Sequence, residues 1–271
     1  EDSTGIAHIL EHSVLCGSRK YPVKKPFVEL IKGSLNTFLN AMTFPDKTAY
    51  PVASQNLKDF YNLVDVYLDA VFFPLISEDT FRQEGWHYEL DDAGSPLVYK
   101  GVVFNEMKGA FSSPDAVMRD IAQRSLYPDT TYGKSSGGDP KAIPDLTYEQ
   151  FKRFHQTYYH PSNTRAFFSG DDNPAQRLAI LDEYFSQFER KPVDAEVKLQ
   201  PRFNAPRQMV ATYDGTKGEG KARDGMVSVN WMIDPPETRE ETLSFGLLSY
   251  LLAGNAAAPL RKKLTESGLG E

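Results

Sequence analysis

Within the stretch "GIAHILEHSVLCG", Gly5 to Gly17, two histidines and a glutamate fall inside five residues. Each helical residue turns about 100°, so His8 and His12 lie roughly 40° apart on one face and one turn apart along the axis. Two imidazoles so placed can hold one metal ion. Glu11 falls about 60° to the other side of His8, within reach of a water on that ion without being needed as a ligand. The flanks put these residues on a structured helix: Asp2, Ser3 and Thr4 offer N-terminal caps, Ile6, Ile9 and Leu10 bury one side, and Gly17 is a stop. The competing reading is a solvated polar face, which leaves those apolar flanks without a purpose.

The order H-x-x-E-H reverses the familiar H-E-x-x-H and is an inverted zinc-site signature. A catalytic zinc takes three protein ligands and keeps its fourth position for water. Two carboxylates downstream could supply the third ligand: Glu84, 84 − 12 = 72 residues after His12, and Glu106, 106 − 12 = 94 residues after it. Spacing alone does not choose between them.

The elements that must position these groups can be read from apolar periodicity. A second helix is expected around Phe27, Leu30, Ile31 and Leu35, and a hairpin from "NTFLNAMTF" and "TAYPV" across "PDK". Asn56 caps a helix whose face carries Phe60, Leu63, Val64, Tyr67, Leu68 and Val71 until Pro74 stops it. Further segments fall at "EDTFRQEGWHYEL", "GVVFNEMKGAF" and "DAVMRDIAQRSLY". Thr147 and Gln150 form a capping-box pattern opening "YEQFKRFHQTYYH", "TRAFFSG" reads as a strand, and "PAQRLAILDEYFSQF" as a helix. Three prolines between Lys191 and Pro206 suit an extended linker, followed by strand-like "MVATYD" and "MVSVNWMID" and helical "ETLSFGLLSYLLAG" and "APLRKKLTESG". The order predicts an α+β fold, a largely antiparallel sheet flanked by helices. The expected organisation is a metal-binding domain over 1–190, a linker over 191–206 and the start of a second domain over 207–271.

The 271 residues, 40% hydrophobic and 25% charged, suit about two globular cores. With 30 basic against 37 acidic residues the formal charge is −7, which gives no long-range attraction to nucleic acid or anionic membranes and favours a cationic partner. Cys16 is the single cysteine, so an internal disulfide framework and a multi-cysteine zinc site are excluded; its thiol reads as ordinary burial rather than a redox switch. The most apolar runs, "VDVYLDAVFFPLI" and "FGLLSYLLAG", are interrupted or too short for membrane insertion. The chain begins at Glu1 without methionine and stops after a helix-like run, so a piece of a longer protein is expected, truncated at both ends.

Several stretches together resemble the N-terminal half of the pitrilysin-like M16C metallopeptidases: "STGIAHILEHSVLCGSRKYP", "LNTFLNAMTFPDKTAYPVAS", "DFYNLVDVYLDAVFFP", "EGWHYEL", "GVVFNEMKGAF", "SGGDP" and "YYHPSN". The match runs in order across nearly the whole chain. It implies the pitrilysin/LuxS-like metallohydrolase fold, repeated four times in a full enzyme, with the second unit homologous but non-catalytic. It implies one Zn2+ per chain held by His8, His12 and Glu106, with Glu11 as general base and Glu84 outside the zinc sphere. The implied reaction is endopeptidase hydrolysis of free targeting presequences and other short unstructured, basic peptides. The alternative is a catalytically inactive peptide-binding half, or a core-type structural subunit of the same fold.

By the same resemblance an extended peptide adds to the strand at Leu39, Asn40 and Ala41. Leu15, Phe27, Val28 and Ile31 are read from their types and spacing as an apolar pocket beside the zinc, the alternative being simple core packing. The C-terminal half of the same enzyme is the expected partner. The expected compartment is the mitochondrial matrix or plastid stroma, or a bacterial cytoplasm. Two signals are set aside. "GTKGEGKA" places Ala222 where a phosphate-binding loop needs serine or threonine, and His87, His155 and His160 have no neighbour at ligand spacing.

Overall fold

Helix α1 (Ile6–Val14) follows Gly5, whose φ of 70° turns the chain into the helix. Asp2, Ser3 and Thr4 do not cap it, because their polar groups are used before it begins. The Asp2 carboxylate accepts from the Thr4 backbone and hydroxyl, while Ser3 bonds the backbone of Ser135 and Asp139. The computed structural model describes residues 2–23, 26–90, 92–213, 225–233 and 235–269, without the side chains of Pro26, Val28 and Ile31. The "GTKGEGKA" reading lies outside the described residues.

After α2 (Pro26–Gly33) the expected hairpin forms as two successive antiparallel ladders. Strand β1 (Asn36–Leu39) pairs with β4 (Val52–Ser54), and β2 (Met42–Thr43) pairs with β3 (Thr48–Ala49). Asn40 and Ala41 form the joint between them, where the Asn40 amide still donates to Pro51 O. Helix α3 (Leu57–Phe72) starts at Asn56, whose side chain accepts from the Asp59 backbone, and buries Leu63, Val64, Tyr67, Ala70 and Phe72.

Helix α4 (Glu78–Glu84) leads into strand β5 (His87–Glu89), paired antiparallel with β6 (Val98–Lys100). The chain then enters α5 (Val102–Ala110) through Gly101, at φ 152°, where a Cβ would lie 2.0 Å from Gly85 O. Only glycine fits there. Helices α6 (Pro114–Leu126), α7 (Tyr148–Tyr158) and α8 (Pro174–Phe185) complete the series, and α7 carries the Thr147–Gln150 capping box.

The core forms where α1 meets α4, α5 and α7. Ile9, Leu10 and Val14 pack with Phe81, Val103, Phe104, Ile143, Leu146 and Phe151, all buried. The chain divides into two compact units, Glu1–Ser228 and Val229–Glu271. The first contains α1 to α8 and the three small sheets; the linker expected at 191–206 is irregular chain inside it. The second contains α9 (Arg239–Ala253), opened by a Thr238–Glu241 capping box, and α10 (Pro259–Glu266).

The architecture is α+β, with its antiparallel strands in short pairs rather than one broad sheet. "TRAFFSG", "MVATYD" and "MVSVNWMID" are not strands among the described residues. Alternating apolar residues stabilise a strand only when a ladder and a packed face accompany them. Here Phe167, Val210 and Trp231 are 89%, 87% and 79% exposed. Among the described residues no helix is long and apolar enough to cross a membrane.

Phe151 is fully buried, with its ring 5.2 Å from that of Phe81. Phe151→Ala is expected to destabilise the first unit by about 3–5 kcal/mol, through lost burial and the cavity left behind. Denaturant unfolding followed by near-UV circular dichroism checks this.

Candidate metal centre

One face of α1 supplies the core and the other supplies His8 and His12, whose rings stand edge to face with centroids 5.0 Å apart. Each ring is held through Nδ1. His8 Nδ1 lies 2.9 Å from Gly137 O, and His12 Nδ1 lies 3.4 Å from Glu84 Oε2. A carbonyl and a carboxylate can only accept, so these contacts suit a proton on each Nδ1, the tautomer in which Nε2 is the nitrogen open to a metal.

Both Nε2 atoms face the same carboxylate. Glu106 Oε2, from α5, lies 3.8 Å from His8 Nε2 and 3.8 Å from His12 Nε2. Ligand atoms of His8, His12 and Glu106 all lie within 4.8 Å of one another. Two imidazole nitrogens and one carboxylate suit a divalent transition metal, with the outward-facing nitrogens anchored as such sites require. Glu84 is not in this set. It touches His12 from the opposite edge of the ring.

Glu11 projects from α1 beside the histidines and is buried, at 7% exposure. Its Oε2 accepts a 2.7 Å hydrogen bond from the Thr43 hydroxyl on β2, which leaves the other oxygen uncommitted by that bond. Behind it, the hydroxyls of Tyr50 and Tyr159 meet at 2.8 Å, and burial raises both above the usual phenol range, Tyr159 to about 12. They stay neutral at physiological pH. Burial also works against the charged form of His12, but the Glu84 hydrogen bond and the charges of Glu11, Glu84 and Glu106 outweigh it, so its pKa is raised.

The candidate peptide-binding residues lie on the end of α1, on α2 and on the first hairpin strand with the joint after it. Leu15 packs against the core cluster, Phe27 is half-buried on α2, and the side chains of Val28 and Ile31 lie outside the described residues. Leu39 ends β1, the Asn40 carbonyl accepts from Tyr67 OH at 3.2 Å, and the Ala41 backbone N–H donates to Asn40 Oδ1. The Cys16 thiol donates to His12 O and Glu84 Oε1 at 3.5 and 3.6 Å. His87, His155 and His160 bond Arg82 O, Val71 O and the Ser162 amide, respectively, and are not in the ligand group.

Thr43, Gly137 and the Glu84 contact were invisible to spacing arguments. Gly137 acts through its backbone carbonyl, which any residue type has. Thr43 could have been suspected only as a hydroxyl on a strand near the motif.

A family model described as Insulinase (Peptidase family M16) matches residues 1–118, and another described as Peptidase M16 inactive domain matches 145–271. The chain belongs to peptidase family M16, whose two models together match most of it. It is 58% identical over 276 residues to Presequence protease 1, chloroplastic/mitochondrial, of Arabidopsis thaliana, an alignment that covers 100% of this chain and 26% of that protein. It is 52% identical over 274 residues to Protein HypA of Clostridium perfringens, covering 100% of this chain and 28% of that protein. The chain thus spans about a quarter of the length of these curated relatives. The crystal structure of pitrilysin superposes with a TM-score of 0.55 at 23% identity, over 76% of this chain and 20% of that one, which shows the shared fold.

At Gly5 a Cβ would lie 2.8 Å from Gly137 O and 2.9 Å from Gly138 Cα, on a backbone with φ of 70°. Gly5→Ala is therefore expected to destabilise the first unit by about 1 kcal/mol or more and to push the Gly137 carbonyl off His8. Thermal unfolding checks the first effect, and weaker binding in a titration with divalent metal checks the second.

Proposed function

We propose that this chain is the zinc-binding part of an endopeptidase that hydrolyses free targeting presequences and other short unstructured peptides. The observation that carries the reading is the convergence of His8 Nε2, His12 Nε2 and the Glu106 carboxylate on one point, with Glu11 beside them. The relatives named as presequence protease support the substrate class.

In this reading His8, His12 and Glu106 hold one zinc ion. Zinc supplies a lowered pKa for a bound water and polarisation of a peptide carbonyl. Glu11 takes the proton from the attacking water and returns one to the departing amine nitrogen. The Thr43 hydroxyl keeps one Glu11 oxygen fixed, so the proton moves through the other. The peptide lies extended along Leu39, Asn40 and Ala41, exchanging main-chain hydrogen bonds, with Leu15, Phe27, Val28 and Ile31 receiving an apolar side chain. The net charge of −7 suits basic peptides.

The remaining length of the relatives supports a C-terminal portion that completes the enzyme around its substrate. Their names also support a mitochondrial or plastid compartment for a eukaryotic source; for a bacterial source the reading is the cytoplasm. A catalytically inactive half or core-type subunit has no use for a general base next to three converging ligands.

Zinc per chain and peptide hydrolysis test the division of roles. Glu11→Gln is expected to keep one zinc and, in the full-length enzyme, to lower kcat by about 10²–10⁴-fold. Glu106→Gln is expected to lose both zinc and turnover. Zinc lost with Glu11→Gln, or kept with Glu106→Gln, contradicts the assignment.

A further inference from the structure

Glu84 lies where a carboxylate is costly. It is the last residue of α4, where the helix dipole disfavours a negative charge, and it is 4% exposed, where loss of water disfavours it again. A helix end in a core is better served by an amide or an apolar side chain. The carboxylate is nevertheless held firmly: Oε1 accepts from Gln83 Nε2 at 2.7 Å and from the Cys16 thiol at 3.6 Å. That arrangement fixes the plane of the group and turns Oε2 toward His12 Nδ1, 3.4 Å away.

We propose that Glu84 is a positioning residue for the metal centre, fixing the ring plane of His12 and the proton on its Nδ1 so that Nε2 faces His8 and Glu106. The inference rests on the zinc-site reading above and extends it to a residue outside the ligand set. Glu84 cannot be a ligand in this geometry, because Nδ1 and Nε2 of one ring point in divergent directions. His8 receives the same service from the neutral Gly137 carbonyl. The two histidines therefore differ: one is backed by a dipole and the other by a full charge, which makes His12 the stronger electron donor of the pair.

The test uses this chain with zinc alone. Affinity is measured by competition with a chromophoric chelator for the parent, Glu84→Gln and Glu106→Gln, alongside thermal unfolding of each metal-free protein. Glu84→Gln is expected to bind one zinc still, about 10–100-fold more weakly, with no matching loss of metal-free stability. Glu106→Gln is expected to lose far more. Unchanged affinity in Glu84→Gln, or a loss that only tracks a lowered melting temperature, overturns the proposal.

A second readout needs no variant. Long-range 1H–15N spectra of the zinc-loaded parent should show His12 protonated on Nδ1 and metal-bound through Nε2; the reverse assignment overturns the proposal. A parent that binds no zinc overturns the site reading itself and the proposal with it. Loss of zinc with Glu84→Gln but not with Glu106→Gln would instead make Glu84 the third ligand, against both.

Discussion

Two imidazoles on one helix can share an ion only if each turns the same nitrogen toward the same point, and a histidine ring swivels unless its other nitrogen is held. Most of the first unit follows from that requirement. Neither anchor comes from α1: the Gly137 carbonyl arrives on the loop before α7, and the Glu84 carboxylate at the end of α4. The third ligand-type group arrives on α5. Three separate segments must therefore be fixed against α1 to within a fraction of an ångström. The buried cluster does this, because Ile9, Leu10 and Val14 pack against Phe81 of α4, Val103 and Phe104 of α5, and Ile143 near the loop.

Backbone contact tightens what side-chain packing begins. Gly101 lets the start of α5 pass directly over Gly85, the residue after Glu84. The segment that carries Glu106 and the segment that carries Glu84 are thereby locked to each other as well as to α1. Gly5 plays the same part at the other end, admitting the Gly137–Gly138 backbone against the first turn of α1. Each glycine is needed for space at a crossing of chains, so each fixes a distance that a larger residue would lengthen.

What could be read from the sequence was local. The one-turn spacing of His8 and His12, the Asn56 cap, the Thr147–Gln150 capping box and the hairpin each depend on residues a few positions apart, and each forms. Choosing between Glu84 and Glu106 needed more. Both carboxylates reach His12, one on each ring nitrogen, and sequence distance carries no information about which edge of a ring a chain will approach. Asp2, Ser3 and Thr4 show a related limit, since residues that cap helices bond one another or a passing loop equally well. "TRAFFSG" shows a third: alternation is a property of one segment, whereas a strand is a property of two.

The hydroxyl that steadies Glu11 belongs to β2, a two-residue strand of the hairpin, and not to the packed elements that hold the histidines. The histidine rings and the Glu11 carboxylate, although all on α1, thus take their hydrogen bonds from different segments. The ligand-type groups are held by the hydrophobic core beneath them, while Glu11, itself on α1, takes its hydrogen bond from a hairpin whose Tyr50 packs against the same cluster. A small shift of the hairpin can re-aim the carboxylate while the three ligand-type groups stay in place. The strand sets the direction of the Glu11 side chain through one hydrogen bond, while the imidazole rings are set by other segments.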